Sequence, residues 1–115
     1  MSRGYQGRMM RALGAGEHLI RVEDAYDVVP GFRRVRFTSD TLFDEFTPGP
    51  TDYLRLWFPD PDDPEREVQR GYTVIEPDPA GRTLTIDFVI HEPHGPASGW
   101  AATCASGDTV PATVY

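Results

Sequence analysis

Residues 83–91 read Thr-Leu-Thr-Ile-Asp-Phe-Val-Ile-His. The apolar side chains Leu84, Ile86, Phe88 and Ile90 alternate with a second series, which consists of Thr85, Asp87, Val89 and His91. A period of two is typical of a β-strand that buries one face in a core and turns the other towards solvent. Strands of this kind are common in antiparallel sheets, which are often covered on one side only. The stretch therefore indicates an antiparallel β fold.

Five further segments carry strand signals. Residues 32–38, for example, place Val35 and Phe37 on one face and Arg34 and Arg36 on the other. An apolar inner face and a charged outer face again favour an antiparallel sheet. The six predicted strands cover residues 18–25, 32–38, 53–58, 70–76, 83–91 and 109–115.

Helix signals are few. A single helical turn, capped by Ser39 or Asp40, is expected to end near Phe43. One longer helix is predicted between the last two strands, because Pro96 suits a first helical turn and Ser106-Gly107 suits a helix end. Closing the sheet into a barrel would remove its exposed edges. The sequence therefore predicts an all-β fold, a six-stranded antiparallel barrel with one short helix before the last strand.

The length of 115 residues fits one domain. Residues 1–16 contain four glycines and no sustained period, so they are predicted to be a flexible leader and the barrel domain is assigned to residues 17–115. Residues 59–64 combine three prolines with three aspartates. Because proline cannot donate to a ladder, an exposed excursion is expected there.

Composition excludes several classes of protein. The net charge of -7 disfavours a nucleic-acid partner, whose phosphates would need a basic surface. No run is apolar enough to span a membrane and no secretory signal is visible, so the expected compartment is the cytoplasm. The single cysteine, Cys104, precludes an internal disulfide. No metal site is predicted, since His91, Glu92 and His94 are interrupted by Pro93 and have no second ligand pair.

The first motif is Arg70-Gly71-Tyr72-Thr73 on the fourth predicted strand. Alternation sends Arg70 and Tyr72 to one face and Thr73 to the other. The motif is short, and an exposed Arg and Tyr on a strand surface is the alternative reading.

The second motif begins at Asp87-Phe88-Val89-Ile90-His91 and continues as Gly-Pro-Ala-Ser-Gly-Trp-Ala over residues 95–101. A strand that runs into the start of a helix presents unpaired backbone N–H groups and a positive dipole end. Both features suit a pyrophosphate, and small residues let it approach the backbone closely. The alternative is an ordinary strand-to-helix turn with Trp100 filling the core.

Taken together and in this order, the two motifs resemble the FAD-binding domain of the siderophore-interacting protein family, a branch of the ferredoxin-reductase-like flavoproteins. The resemblance extends over about residues 18–110 and includes Tyr-Leu-Arg-Leu-Trp-Phe-Pro at residues 53–59. It implies a six-stranded Greek-key barrel that carries FAD on its outside.

The resemblance also implies roles for individual residues. Arg70 would contact the flavin phosphate, Tyr72 would lie against the isoalloxazine ring, and Thr73 would hydrogen-bond near its reactive nitrogen. No acid–base residue is assigned, because the flavin itself carries the electrons. The residues implied at the second motif are His91, beside the ring or the ribityl chain, and Gly95, Ala97 and Ser98, at the pyrophosphate.

The activity implied by the resemblance is that of a ferric-siderophore reductase. NADPH or NADH would pass a hydride to FAD, and the flavin would give single electrons to the ferric siderophore. Iron(II) matches hard siderophore oxygens less well than iron(III), so reduction would release the metal. FAD is thus the expected cofactor and a ferric siderophore the expected partner.

Two departures from the family pattern leave alternatives open. Glu76 follows the first motif where the family usually has basic residues, and a carboxylate there would weaken anion binding. The nicotinamide-binding domain of such reductases is also missing from these 115 residues, so NAD(P)H is expected as donor only if a second domain is supplied. The alternatives are a non-enzymatic binding barrel that has lost flavin, and a flavin module that uses a donor domain in trans.

Overall fold

The computed structural model describes residues 16–49 and 52–114. Apart from Gly16, the predicted leader at residues 1–16 lies outside this part of the chain. Two helices and seven strands occur in the described residues. They are β1 Glu17–Val29, β2 Phe32–Thr38, α1 Leu42–Glu45, β3 Tyr53–Asp60, β4 Asp63–Thr73, β5 Ile75–Asp78, β6 Thr83–Val89, α2 Pro96–Thr103 and β7 Thr109–Thr113.

One antiparallel sheet contains all seven described strands, in the order β4-β3-β7-β1-β2-β6-β5. The last strand, β7, pairs with both β1 and β3. The predicted all-β class, the antiparallel pairing and the short helix before the last strand are confirmed. The six-stranded barrel only approximates the sheet, because the described strands number seven and no ladder closes the sheet on itself.

The seventh strand arises because the fourth predicted strand, residues 70–76, divides at Val74. On one side of the division, β4 pairs with β3, and Tyr72 lies opposite Leu54. On the other side, β5 pairs with β6, and Ile75 lies opposite Thr85. The side chain of Val74 is buried in the core. The chain therefore bends there, and its two halves pair with strands at opposite ends of the sheet.

The excursion predicted for residues 59–64 is a hairpin instead. The strands β3 and β4 extend until Asp60 pairs with Asp63. The carboxylate of Asp60 accepts the N–H of Asp62 at 2.9 Å, and that of Asp63 accepts the N–H of Glu65 at 3.2 Å. Aspartate side chains thus satisfy backbone donors in the turn, which is how Asx turns hold a chain reversal.

The core lies inside the curved sheet and beneath α2. The apolar series predicted on β6 is confirmed, since Leu84, Ile86 and Phe88 are buried. The half-buried ring of Trp100 on α2 stacks on Phe37 with centroids 6.1 Å apart and planes 9° from parallel. Burial of each large apolar side chain stabilises the fold by about 1.5–3 kcal/mol. The fully buried large side chains are Trp57, Phe37, Phe58, Phe88, Ile20, Leu42, Leu54, Leu56, Leu84, Ile86, Val22 and Val35.

The helix α2 begins at Pro96, as predicted, and ends at Thr103. Its N-cap residue is Gly95, whose missing side chain leaves the helix without a side-chain cap. In the described ranges, no helix is long and apolar enough to cross a membrane. The start of α2 follows the end of β6 and faces β4, and this arrangement positions the candidate site.

Candidate functional site

A groove of about 360 Å³ lies between the end of β4, the outer face of β6 and the start of α2. Five residues that the sequence predicts as cofactor-binding line it: Arg70, Tyr72, His91, Gly95 and Ala97. The other lining residues are Asp87, Val89 and Pro96. The structure therefore brings the two sequence motifs together in one continuous depression.

An unpaired strand edge forms one side of this groove. The pairing of β6 with β2 continues to Val89, whereas its pairing with β5 ends at Thr85. Among the described residues, no strand pairs with the edge of β6 between Ile86 and Val89 on the side away from β2. Backbone donors and acceptors on this edge can therefore hydrogen-bond a planar heterocycle that carries both kinds of group.

The ring of Tyr72 is half-buried between the core and the groove. Its centroid lies 4.6 Å from that of Phe88, and its edge meets Phe58 at 6.5 Å. Burial raises the pKa of the Tyr72 hydroxyl, and the positive charge of Arg70 offsets part of this rise. The side chain is therefore a neutral aromatic surface, fixed by its contacts with the core.

Arg70 is exposed and donates from Nη1 to the carbonyl of Gln69 at 2.8 Å. In the part of the chain that the structure describes, no carboxylate forms an ion pair with it. Its remaining guanidinium N–H groups are thus available to an anion in the groove. Thr73, the last residue of the motif, is exposed at the end of β4 and does not line the groove.

The start of α2 supplies backbone donors. Gly99 donates its N–H to the carbonyl of Gly95 at 2.9 Å, which is the first helical hydrogen bond after the cap. The N–H groups of Ala97 and Ser98 precede it and have no intrahelical acceptor. Together with the helix dipole, they favour a negative charge at this end of the groove.

The side chain of Ser98 is turned away from the groove and is only 3% exposed. Its Oγ accepts the N–H of His91 at 3.1 Å and lies 2.9 Å from Nδ1 of His94. The hydroxyl thus ties the segment after β6 to the first turn of α2. Since it is occupied in this way, any contact of Ser98 with a ligand in the groove would come from its backbone N–H.

Asp87 is the groove residue that the sequence interpretation left without a role. Both oxygens of its carboxylate accept hydrogen bonds from Arg34, from Nε at 2.8 Å and from Nη2 at 2.9 Å. This interaction raises the pKa of Arg34, and a contact with Tyr26 adds to the effect. A paired guanidinium offsets the negative charge that Asp87 would otherwise bring to the groove. Asp87 opens the second motif, but its position on the strand does not indicate whether its carboxylate faces solvent or a ligand.

Glu76, which departs from the family pattern, does not line the groove. It is exposed on β5, beyond the division at Val74, and has a left-handed φ of 47°. Its carboxylate therefore lies outside the walls that would contact an anion. No group of three or more His, Cys, Asp or Glu in the described ranges is arranged to hold a metal ion.

These residues fit a phosphate-containing cofactor with a planar ring. As far as residues 16–49 and 52–114 show, the groove combines a cation that has no acidic partner, a fixed aromatic face, helix N–H groups without a side-chain cap and an open strand edge. The family model of the siderophore-interacting FAD-binding domain matches residues 61–113, which include every residue lining the groove. This part of the chain is similar to a siderophore-interacting FAD-binding domain.

The curated relatives are much longer proteins. The chain is 51% identical over 110 residues to the mycobactin import ATP-binding/permease protein IrtA of Mycolicibacterium thermoresistibile, and the match covers 96% of this chain and 12% of that protein. It is 46% identical to the protein of the same name from Mycobacterium tuberculosis, with 96% of this chain and 13% of that protein covered. The chain thus spans about an eighth of the length of these relatives.

Several solved structures are similar to this chain in fold. The siderophore-interacting protein SipS from Aeromonas hydrophila is 28% identical, with a TM-score of 0.74 over 87% of this chain and 43% of that chain. A siderophore utilization protein from T. fusca is 28% identical, with a TM-score of 0.74 over 86% of this chain and 44% of that chain. A ferredoxin NADP+ reductase from Neisseria gonorrhoeae, at 17% identity and a TM-score of 0.60, covering 86% of this chain and 37% of that chain, shows the fold alone.

Proposed function

We propose that this chain binds FAD in the groove and is the flavin-carrying part of a ferric-siderophore reductase. The observation that carries the proposal is the convergence of the two motifs. Arg70 and Tyr72 come from β4, His91 follows β6, and Gly95 and Ala97 begin α2, yet all five line the same depression. A ligand that contacts both motifs requires this convergence of residues from three segments.

Each group in the groove would have a distinct task. The guanidinium of Arg70 and the N–H groups of Ala97 and Ser98 would bind the pyrophosphate, because they combine positive charge with free donors. The ring of Tyr72 would lie against the isoalloxazine and hold its orientation. Thr73 is proposed to hydrogen-bond near the reactive nitrogen of the ring. His91 is proposed to lie beside the ring or the ribityl chain.

Bound FAD would supply the redox chemistry, accepting two electrons as a hydride from NAD(P)H and releasing them one at a time. Each ferric ion takes one electron and becomes ferrous, so one hydride serves two ferric siderophores. Ferrous iron is held less strongly by hard oxygen ligands, which favours release of the metal. The names of the relatives support this class of substrate, since they refer to mycobactin import and to siderophore interaction.

The hydride donor would bind to another domain, either in the same polypeptide or in trans. The solved siderophore-interacting proteins are more than twice as long as the matched region, with 43% and 44% of their chains covered. We assign the flavin-binding domain to residues 17–115 and place its activity in the cytoplasm, where NAD(P)H is available.

The test begins with the absorption spectrum of the purified chain. FAD is then titrated into the protein, and binding is measured by the quenching of flavin fluorescence. A flavin spectrum or saturable uptake is expected. Under anaerobic conditions, chemically reduced holoprotein should be reoxidised by a ferric siderophore, with ferrous iron trapped by a colorimetric chelator.

The two steps separate the alternatives. Absence of FAD uptake at high concentration would reject the cofactor and favour a binding barrel without flavin. Uptake of FAD without electron transfer to any ferric siderophore would keep the flavin site and reject the reductase activity. In the titration with FAD, Arg70→Ala would remove the cation of the groove. Arg21→Ala is the matched control for the loss of one positive charge, because Arg21 lines a separate hollow beside Thr38 and Thr109.

A further inference from the structure

The outer face of the sheet holds a buried tryptophan. On β3, the side chains of Leu54, Leu56 and Phe58 belong to the core. Because side chains alternate along a strand, Trp57 points to the opposite face of the sheet, away from that core. It is nevertheless only 1% exposed. A large apolar side chain on an outer face is shielded to this degree only when part of the protein packs over it.

Two neighbours in the sheet flank the indole. Its Nε1 donates to Oγ1 of Thr113 on β7 at 3.0 Å, so the ring extends across the sheet towards β7. On the other side, Gln69 of β4 lies opposite Trp57. The Oε1 atom of Gln69 is buried and accepts no hydrogen bond from the described residues. We call these three residues the Trp57 face, and the buried Oε1 shows that more than the indole is shielded from water there.

Neither of the two described helices packs on the Trp57 face. The principal contacts of β3 are with its sheet neighbours β4 and β7 and with α2. The helix α2 approaches from the core side, where the ring centroid of Trp100 lies 5.6 Å from that of Phe58. The helix α1 contacts β1 and places Leu42 in the core. Since side chains stand roughly perpendicular to a sheet, flanking residues border the indole without closing over it.

The N-terminal segment, residues 1–15, lies outside the described part of the chain and joins it beside the Trp57 face. It leads through Gly16 into Glu17, which pairs with Thr113, the residue to which the indole donates. Neighbouring strands lie about 4.8 Å apart. An extended residue spans about 3.3–3.6 Å, so a few residues suffice to reach Trp57 from the start of β1.

The composition of this segment complements the surface around Trp57. It contains three arginines and no acidic residue, whereas the whole chain has a net charge of -7. Carboxylates border the Trp57 face on two sides, from Glu17 on β1 and from Glu67, which lies opposite Pro59 on β4. Methionine adapts to irregular apolar surfaces. The large apolar side chains of the segment are Tyr5, Met9, Met10 and Leu13.

We propose that residues 1–15 pack over the Trp57 face, with apolar side chains on the indole and arginines within reach of Glu17 and Glu67. The segment then belongs to the fold as an intramolecular cover of β3 and β7. It supports from the outside the same pair of strands, β3 and β4, whose other face carries Arg70 and Tyr72. The inference is independent of FAD.

The test measures how well Trp57 is shielded in the full chain without added flavin. Trp57 and Trp100 are the two tryptophans of the sequence, so Trp100→Phe leaves Trp57 as the sole indole emitter. Its fluorescence should resist quenching by acrylamide. Adding Met9→Ser/Leu13→Ser should raise the quenching constant several-fold and move the emission to longer wavelength, because the indole would then face water.

The control is Val28→Ser/Val29→Ser in the same background. It also replaces two apolar side chains by serine, but at exposed positions where β1 ends, and should leave the quenching constant unchanged. Melting curves would show that each variant is folded. If Trp100→Phe does not fold, trypsin cleavage after Arg8 and Arg11 would be followed by mass spectrometry. Cleavage should be several-fold slower in the wild type than in Met9→Ser/Leu13→Ser.

Every outcome bears on the cover. Selective exposure of Trp57 in the N-terminal variant supports it. No change in that variant, an equal change in the control, or an indole that acrylamide already quenches freely in the parent chain overturns it. Shielding that disappears on dilution would assign the cover to a second copy and also overturn the proposal. None of these results depends on whether the chain binds FAD.

Discussion

Arg34 and Asp87 lie opposite each other on β2 and β6, and their side chains form a two-point hydrogen bond with distances of 2.8 and 2.9 Å. The carboxylate of this pair also lines the groove in which we place the flavin. A negative charge beside a phosphate-binding surface would oppose the binding of FAD. Its pairing with a guanidinium removes most of that opposition.

The substitution Arg34→Met should therefore weaken FAD binding, because it leaves the carboxylate of Asp87 in the groove without its partner. We expect the dissociation constant to rise about threefold to tenfold, the range for one uncompensated charge at a partly exposed position. The effect should shrink as salt is added. Fluorescence titrations at low and high ionic strength would measure it. The double variant Arg34→Met/Asp87→Asn should recover most of the affinity, and a double variant as weak as the single one would contradict this explanation.

Loss of the groove cation should have a larger effect. Arg70→Ala removes a charged donor without an acidic partner in the described residues, and a hydrogen bond to a charged group contributes about 1.5–3 kcal/mol. The dissociation constant for FAD should rise about 10- to 100-fold. Calorimetric titration would measure the change, with Arg21→Ala as the charge-matched control. Equal effects of the two substitutions would show that only the overall charge matters.

Tyr72 has a structural and a binding role that one pair of variants can separate. Tyr72→Ala should reduce FAD affinity by about 1–3 kcal/mol through lost stacking, and it should also lower the melting temperature because the ring packs on Phe88 and Phe58. Tyr72→Phe keeps the ring and should preserve both properties. FAD affinity and thermal unfolding would be followed for each. A Tyr72→Phe variant with the FAD affinity of Tyr72→Ala would assign the binding energy to the hydroxyl.

Ser98 is expected to act through the loop that it holds. Ser98→Ala removes the acceptor of the part-buried His91 N–H, and a typical hydrogen bond contributes about 0.5–1.5 kcal/mol to stability. The free energy of unfolding should fall by that amount in urea denaturation. FAD and FMN should weaken to the same degree, because both place a phosphate at the start of α2. Thr103→Ala, on the exposed end of that helix, is the control, and an unchanged stability of Ser98→Ala would contradict the positioning role.

Burial of Cys104 should make stability depend on pH in the alkaline range. Burial raises the pKa of its thiol, with Arg33 opposing part of the rise. The folded chain then retains the thiol proton at a pH where the unfolded chain has lost it. Stability is therefore complete below the ordinary thiol pKa of about 8.5 and declines above it. Melting temperatures between pH 7 and pH 10 should fall more steeply for the wild type than for Cys104→Ala. Parallel curves would exclude the thiol as the source.

The predictable parts of the fold are those that a residue pattern within a single segment of sequence determines. The alternation at Leu84, Ile86 and Phe88 already identified the buried face of β6, and Pro96 already marked the first turn of α2. The division at Val74 was not predictable, because residues 70–76 have the local character of one strand. Its cause is the pairing of the two halves with β3 and β6, which are distant in sequence.

For the candidate site too, motifs within one segment could be recognised in the sequence, whereas contacts between distant segments could not. Arg70, Tyr72, His91, Gly95 and Ala97 belong to motifs that can be recognised in the sequence, and they meet in the groove. Their roles towards FAD, and that of Thr73, stay predictions. Asp87 could not be placed from sequence, because an outward carboxylate on a strand has the same appearance whether it faces solvent or a ligand. Only its pairing with Arg34 across the sheet distinguishes the two cases.

The open edge of β6 has a mechanical consequence. Between Ile86 and Val89 the strand is supported by β2 alone, and among the described residues the contact with the β4 side there is made by rings such as Tyr72 and Phe88. A rigid aromatic molecule inserted into this gap would serve as the missing neighbour and hold the two walls at a fixed separation. A bound ligand would then restrict the motion of β6 relative to β4, and without the ligand the distance between the two strands would vary more.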